Sequence, residues 1–324
     1  MSQPEINSKN ANLWSKLGPR ATYGQAILAL GQERSDVIAL SADLGNSSGL
    51  ERFSKLLPDR FVDVGIAEQN LIGVASGLAK EGFTVFASSF APFITMRACE
   101  QLRINLGYMG MNVKAVGIGS GLAMGFLGNS HFGLEDVSVV RSIPDIEIIS
   151  PADCSEIFKA VFAIARSDKP TYLRLTGSPG MTPVYQQDYD FEIGKAINLT
   201  PRADILLIAT GSMVSVALSV REELHKDRID CSVTNIHTIR PLDIEHMISI
   251  VKDSQYVFVL EEHVSSGGLY SEIMEQLNAR DLYPRIKPIG LLKKFDLSGD
   301  YEFLKSHHGL DVLGVSNFIR GCLK

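Results

Sequence analysis

Arg60-Phe-Val-Asp-Val-Gly65-Ile-Ala-Glu68-Gln-Asn-Leu-Ile-Gly-Val-Ala-Ser-Gly77 is the stretch that decides the fold of this chain. A β-branched run ends at Gly65 and a helix of small residues begins almost at once, so the segment reads as strand, turn and helix. Glu68 then falls in the first turn of that helix, at the mouth of a sheet, where open α/β sheets bind ligands. A glutamate in this place serves either as dipole and capping decoration or as the carboxylate of a site. The local sequence leaves both open.

The alternation continues on either side. Upstream, a polar arm to about Pro19 precedes an amphipathic helix over 22–34 and a buried strand over 37–41. That strand runs into Ala42-Asp43-Leu-Gly-Asn-Ser-Ser-Gly49, which puts Asp43 just past a strand's C-terminal end. Downstream come a strand over 83–90, a helix over about 92–106 and a strand over 113–119. The loop 120–133, with His131 near its end, is too long and glycine-rich for a simple connector and is expected to close over a ligand. A helix over 135–141, a strand over 146–150, a helix over 153–166 opened by an Asp153/Glu156 capping box, and a strand over 171–175 complete this unit.

Short links between alternating strands and helices predict an α/β fold with a mainly parallel sheet covered on both faces. Strands over 204–210, 230–236 and 255–261, with helices near 213–226, 244–253 and 268–279, predict a second such unit. The expectation is two doubly wound, mainly parallel-sheet domains, at 20–177 and 201–324, joined by a Pro- and Gly-punctuated linker at 178–200.

The 324 residues carry a formal charge of −6 and a pI near 5.7, without the basic footprint of a nucleic-acid or anionic-lipid binder. The first residues lack a positive segment followed by an apolar run, and no apolar stretch approaches the roughly 20 residues that span a bilayer. Cys99, Cys154, Cys231 and Cys322 are far apart, as expected of reduced thiols in a cytoplasmic protein. Gly117-Ile-Gly119-Ser-Gly121 departs from a dinucleotide fingerprint in its third glycine. There is no phosphate-loop lysine, no Gly-x-Ser-x-Gly elbow and no metal-ligand spacing.

Ser41-Ala-Asp-Leu44, Val64-Gly-Ile-Ala-Glu-Gln69, Ser89-Phe-Ala-Pro-Phe93, Gly128-Asn-Ser-His131, Arg141-Ser-Ile-Pro144 and Glu261-Glu-His263 with Gly267-Gly268 occur in the order and approximate spacing of the transketolase family. Nearly the whole chain resembles the family's pyrimidine-binding domain followed by its C-terminal domain, with deoxyxylulose-phosphate synthase as a near relative. The Gly-Asp-Gly and distant Asn pair that hold Mg²⁺ and the diphosphate of thiamine diphosphate in such enzymes are not found. The resemblance therefore implies the C-terminal subunit of a split transketolase, with a metal-free site of its own. It further implies an N-terminal partner subunit that holds most of the cofactor and Mg²⁺, and a heterotetramer.

The same resemblance assigns roles to residues. Thiamine diphosphate reacts through a thiazolium carbon whose proton is removed by its own aminopyrimidine, and that ring is activated by a carboxyl hydrogen-bonded to a ring nitrogen, here Glu68. Phe90 and Phe93 would flank the pyrimidine, and Asp43 would lie near the cofactor at the subunit contact. His131 would meet the donor sugar and pass protons, while His263 would be structural or at an interface. The implied reaction moves a two-carbon ketol unit from a ketose donor to an aldose acceptor.

Three departures concern that acceptor: Leu127 where relatives tend to have an aspartate, Gly119-Ser120 where they have a histidine, and Gly177 where they have an arginine. Losing two donors of charge-assisted bonds points to an unusual acceptor, not phosphorylated at its end, unless Arg52 or Arg174 compensates. A β-subunit of a thiamine-dependent 2-oxoacid dehydrogenase or deoxyxylulose-phosphate-synthase-like enzyme, and a noncatalytic regulatory paralogue, are the alternatives.

Overall fold

The computed structural model describes residues 4–291 and 297–324. Twelve strands among the described residues form two sheets. The first sheet draws on β1 (Val37–Ser41), β2 (Phe61–Asp63), β3 (Thr84–Phe90), β4 (Val113–Ile118), β5 (Glu147–Ile149) and β6 (Thr171–Arg174). The rest of the chain adds β7 (Ile197–Asn198), β8 (Ile205–Ala209), β9 (Cys231–Asn235), β10 (Thr238–Arg240), β11 (Tyr256–Val264) and β12 (Ile286–Leu291). The strand orders are β10-β5-β6-β4-β3-β1-β2 and β12-β11-β8-β9-β7. Pairing is parallel throughout except where β10 meets β5 and β7 meets β9. The architecture is α/β with two mixed, mostly parallel sheets.

Helices on both faces explain why β1 and β3 are buried along their whole length. Successive residues alternate between the two sides. Ile38 and Leu40 pack with Leu71 and Ile72, whereas Val37 and Ala39 pack with Ile27 and Phe53. A third apolar cluster joins β8, β9 and β11 to the helices Met213–His225 and Val312–Leu323.

The polar arm needs correction. Met1–Gln3 lie outside the described residues, but Ser8–Leu17 is a helix, and Pro19–Glu33 follows it. Asn7 accepts from the amides of Lys9 and Asn10 while the Asn10 side chain accepts from the Asn7 amide, a reciprocal cap built from two asparagines. Trp14 anchors the helix by stacking on Phe158, centroids 4.8 Å apart.

The Asp153/Glu156 box also differs. Asp153 Oδ1 accepts from the Glu156 amide at 2.8 Å, but Glu156 turns to the Ala152 amide and to Asn235 of β9. Residues beyond Ala279, unassigned from sequence, form β12 and the helices Tyr301–His307 and Val312–Leu323.

Candidate active site

The chain leaves β1 to one side to make β2, then returns across β1 to make β3 on the other. A crevice outside the carboxyl ends of the strands follows from such a reversal. Into it lead the loop after β1 with Asp43, the turn Val64–Ala67 before the helix Glu68–Lys80, the end of β3 at Phe90, and the loop after β4 that ends at His131. Asp63, to which no sequence motif points, sets the first two. Its Oδ1 accepts from the amides of Asp43, at 3.0 Å, and Gly65, at 2.9 Å. Asp43 itself is exposed at the rim, with φ +58°.

Glu68 begins its helix and is only 2% exposed. Both carboxylate oxygens accept from Arg97 Nη1 at 2.9 Å, and Ser89 Oγ lies 3.5 Å from one of them. The predicted helix over 92–106 is two wide π-helical stretches, Phe93–Arg97 and Leu102–Tyr108, flanking the short helix Cys99–Gln101. Irregular turns of this kind occur often at functional sites. This one carries Phe93 and Arg97 on one side, with the Arg97 guanidinium carbon 4.0 Å from the Phe93 ring centroid. Sequence alone does not single out Arg97, because nothing local says that it meets Glu68, 29 residues away.

Phe90, Phe93 and His131 form an aromatic triangle. Centroids are 5.8 Å apart for Phe90–Phe93, 5.5 Å for Phe90–His131 and 5.1 Å for Phe93–His131, all edge-to-face. His131 Nδ1 is 2.9 Å from Ser130 Oγ. Burial, with the nearby Arg97 charge second, holds the imidazole below its ordinary value, which favours the neutral ring.

The loop carrying His131 is pinned at its neck. The backbones of Gly121 and Gly133 exchange two hydrogen bonds, at 2.8 and 3.1 Å, and Leu122 N donates to Glu262 Oε1 of β11 at 2.6 Å. Glycine is required at 121, where φ is +69° and a Cβ would come within 2.2 Å of that Glu262 oxygen. Glu262 is fixed in turn by the hydroxyls of Ser212 and Tyr301.

Arg174 is not available to compensate at the acceptor side. It is buried against Asp136, and its Nη2 donates to the carbonyls of Gly133 and Glu262, at 3.3 and 2.9 Å, so it fastens the neck to β11. His263 lies beside the pair, its Nε2 3.9 Å from Asp136 Oδ1, and is fully buried. Arg52 is exposed at the start of the helix Glu51–Leu56.

A buried carboxylate beside Ser89, bridged by Arg97 to the face of Phe93, fits a flat nitrogen heterocycle better than an open-chain ligand, since the site offers both a ring face and an in-plane partner. Among the described residues, no group of three or more His, Cys, Asp or Glu is placed to hold a metal ion. No helix among them is long and apolar enough to cross a membrane.

This arrangement defines an α/β ligand-binding chain with its site at a strand-order reversal. Residues 15–179 match the transketolase pyrimidine-binding domain and residues 194–315 the transketolase C-terminal domain. The chain belongs to the transketolase family. It is 36% identical to 6-deoxy-6-sulfo-D-fructose transketolase subunit SqwH of Clostridium sp. (strain MSTE9), covering 90% of each chain. It is 32% identical to an apulose-4-phosphate transketolase subunit of Phocaeicola vulgatus (strain ATCC 8482), covering 91% of this chain and 94% of the relative. Against the 1-deoxy-D-xylulose-5-phosphate synthase of Caldanaerobacter subterraneus, identity is 32% over 92% of this chain but only 47% of that one. A solved structure described as a split gene transketolase, inactive β4 tetramer, superposes with a TM-score of 0.83 at 32% identity, covering 94% of this chain and 97% of the other.

Proposed function

We propose that this chain is the C-terminal subunit of a split transketolase, using thiamine diphosphate and Mg²⁺ held largely by an N-terminal partner in a heterotetramer, and moving a ketol unit from a ketose to an aldose. The observation that carries the reading is one buried carboxylate, Glu68, linked through Arg97 to Phe93 of the aromatic triangle that Phe93 makes with Phe90 and His131. Bound there, thiamine diphosphate would supply a carbon nucleophile and an electron sink for the C–C bond that breaks. Glu68 would share a proton with the pyrimidine nitrogen, Phe90 and Phe93 would hold the ring's plane, and Asp43 would face the cofactor from the rim. His131 in its neutral form would accept and return the proton of a substrate hydroxyl.

The acceptor side supports a sugar without a terminal phosphate. Among the described residues, a cleft of about 280 Å³ beside Gly119 and Gly177 is lined mainly by Leu17, Ile118, Met124, Phe126 and Leu175, with Arg20 also in its wall. Such a lining favours an apolar or deoxygenated end over a doubly charged one.

The test is reconstitution with a candidate N-terminal subunit, followed by assays with a ketose donor and aldehyde acceptors, and in parallel with pyruvate. Ketol transfer dependent on both chains and on the cofactor is the expected result. Pyruvate decarboxylation instead, or turnover by this chain alone, would refute it.

A further inference from the structure

We propose that Arg97 sits, in the free chain, in the seat of the cofactor's aminopyrimidine, and that the ring enters only as Arg97 releases Glu68. This rests on the functional reading above and adds to it an exchange step. A ring held as that reading requires would lay its face on Phe93 and direct a nitrogen to Glu68. Arg97 already makes both contacts, its guanidinium 4.0 Å from the Phe93 centroid and one nitrogen 2.9 Å from each Glu68 oxygen. A guanidinium carbon 4.0 Å from the ring centroid lies at stacking distance, so no second flat group fits between the two.

Glu68 has little else to bond with. Besides Arg97 it meets only the long Ser89 contact at 3.5 Å among the hydrogen bonds of the described residues. A carboxylate 2% exposed and otherwise unpaired would be costly, which gives the free chain a reason to keep a cation of its own there. The route out is open, for the Arg97 side chain is 47% exposed whereas that of Glu68 is not. The Arg97 carbonyl accepts from Gln69 Nε2 at 3.2 Å, so the backbone keeps its anchor while the side chain swings to solvent. In its present position the guanidinium is also near enough to His131 to oppose protonation of that ring.

The exchange is tested by titrating thiamine diphosphate, with Mg²⁺, into the reconstituted pair carrying wild-type, Arg97→Met or Arg97→Lys subunits, read by calorimetry. Thermal unfolding is recorded with and without cofactor. Arg97→Met should bind the cofactor about three- to tenfold more tightly, because no ion pair has to be broken first, and Arg97→Lys should fall between. Arg97→Met should also lower Tm without cofactor, and the deficit should vanish at saturation. Weaker binding by Arg97→Met, or a Tm deficit equal with and without cofactor, would overturn the exchange by showing that Arg97 stays on Glu68 when the ring is bound. A wild-type pair that does not bind thiamine diphosphate at all would sink the functional reading and this inference together.

Discussion

Arg174 Nε donates to both carboxylate oxygens of Asp136, at 3.1 and 2.8 Å, and the side chains are 1% and 0% exposed. Burial works against the charge on Asp136, yet Arg174, His263 and Tyr172 together outweigh it and hold the carboxyl below its ordinary value. The carboxyl's contribution to stability is therefore full above its ordinary value and is lost as pH falls below that value through the lowered folded-state one. Removing one partner strands the other. Asp136→Asn or Arg174→Met should destabilise the chain by about 3–5 kcal/mol, measured by urea unfolding, whereas breaking an exposed pair such as Lys55–Glu51 should hardly move the midpoint.

Glu68→Gln keeps the shape of the side chain and removes its ability to hold a shared proton. In the reconstituted pair it should lower kcat by about 10²–10⁴-fold. Cofactor affinity measured by calorimetry should change far less than kcat. Retention of near wild-type turnover would remove Glu68 from the chemistry.

His131 should titrate below the ordinary imidazole value of 6.5 in the free chain, because burial and the Arg97 charge both oppose protonation. Arg97→Met removes the second cause, so the His131 midpoint should move upward. Ring-proton NMR of the two chains compares them directly, and an unchanged or lower midpoint in the variant would contradict the arrangement. His131→Asn should reduce kcat/KM for the ketose by about 10²-fold or more.

Asp153 and Glu156 lie together beneath the segment 184–189. Burial pushes each carboxyl up to about 7, and their mutual charge adds to the rise on Asp153. A raised folded-state value stabilises below the unfolded value and is lost as pH rises through the folded one, so Tm should fall between about pH 4.5 and about pH 7. Glu156→Gln should flatten that slope. His237, pushed down to about 4 by burial, works in the opposite sense, its contribution being lost as pH falls from 6.5 toward 4. A Glu156→Gln variant with an unaltered pH slope would show that Glu156 is not the source.

Much of the architecture can be read in the chain because its signals are local. The strands around Val37–Ser41 and Thr84–Phe90 are continuous buried runs, and the Gly65-to-Glu68 turn marks a strand-to-helix junction. Ser8–Leu17 escapes such a reading because its cap is a pair of asparagines and its anchor, Trp14, finds Phe158 only in the folded chain. The structure brings Phe90, Phe93 and His131 together and places Glu68 beside Phe93 through Arg97. Asp43 stands apart at the rim. Neither Arg97 nor the burial of Arg174 is legible in the sequence, since each depends on a partner distant along the chain, 29 and 38 residues away.

The strand Thr238–Arg240 is supplied from beyond β9, yet it closes the β5 side of the first sheet. A fragment cut near residue 179 would lose this cover and bare a row of backbone donors and acceptors that invites another chain to add a strand. The halves should therefore melt in a single cooperative transition, and the amino-terminal fragment expressed by itself should precipitate or self-associate.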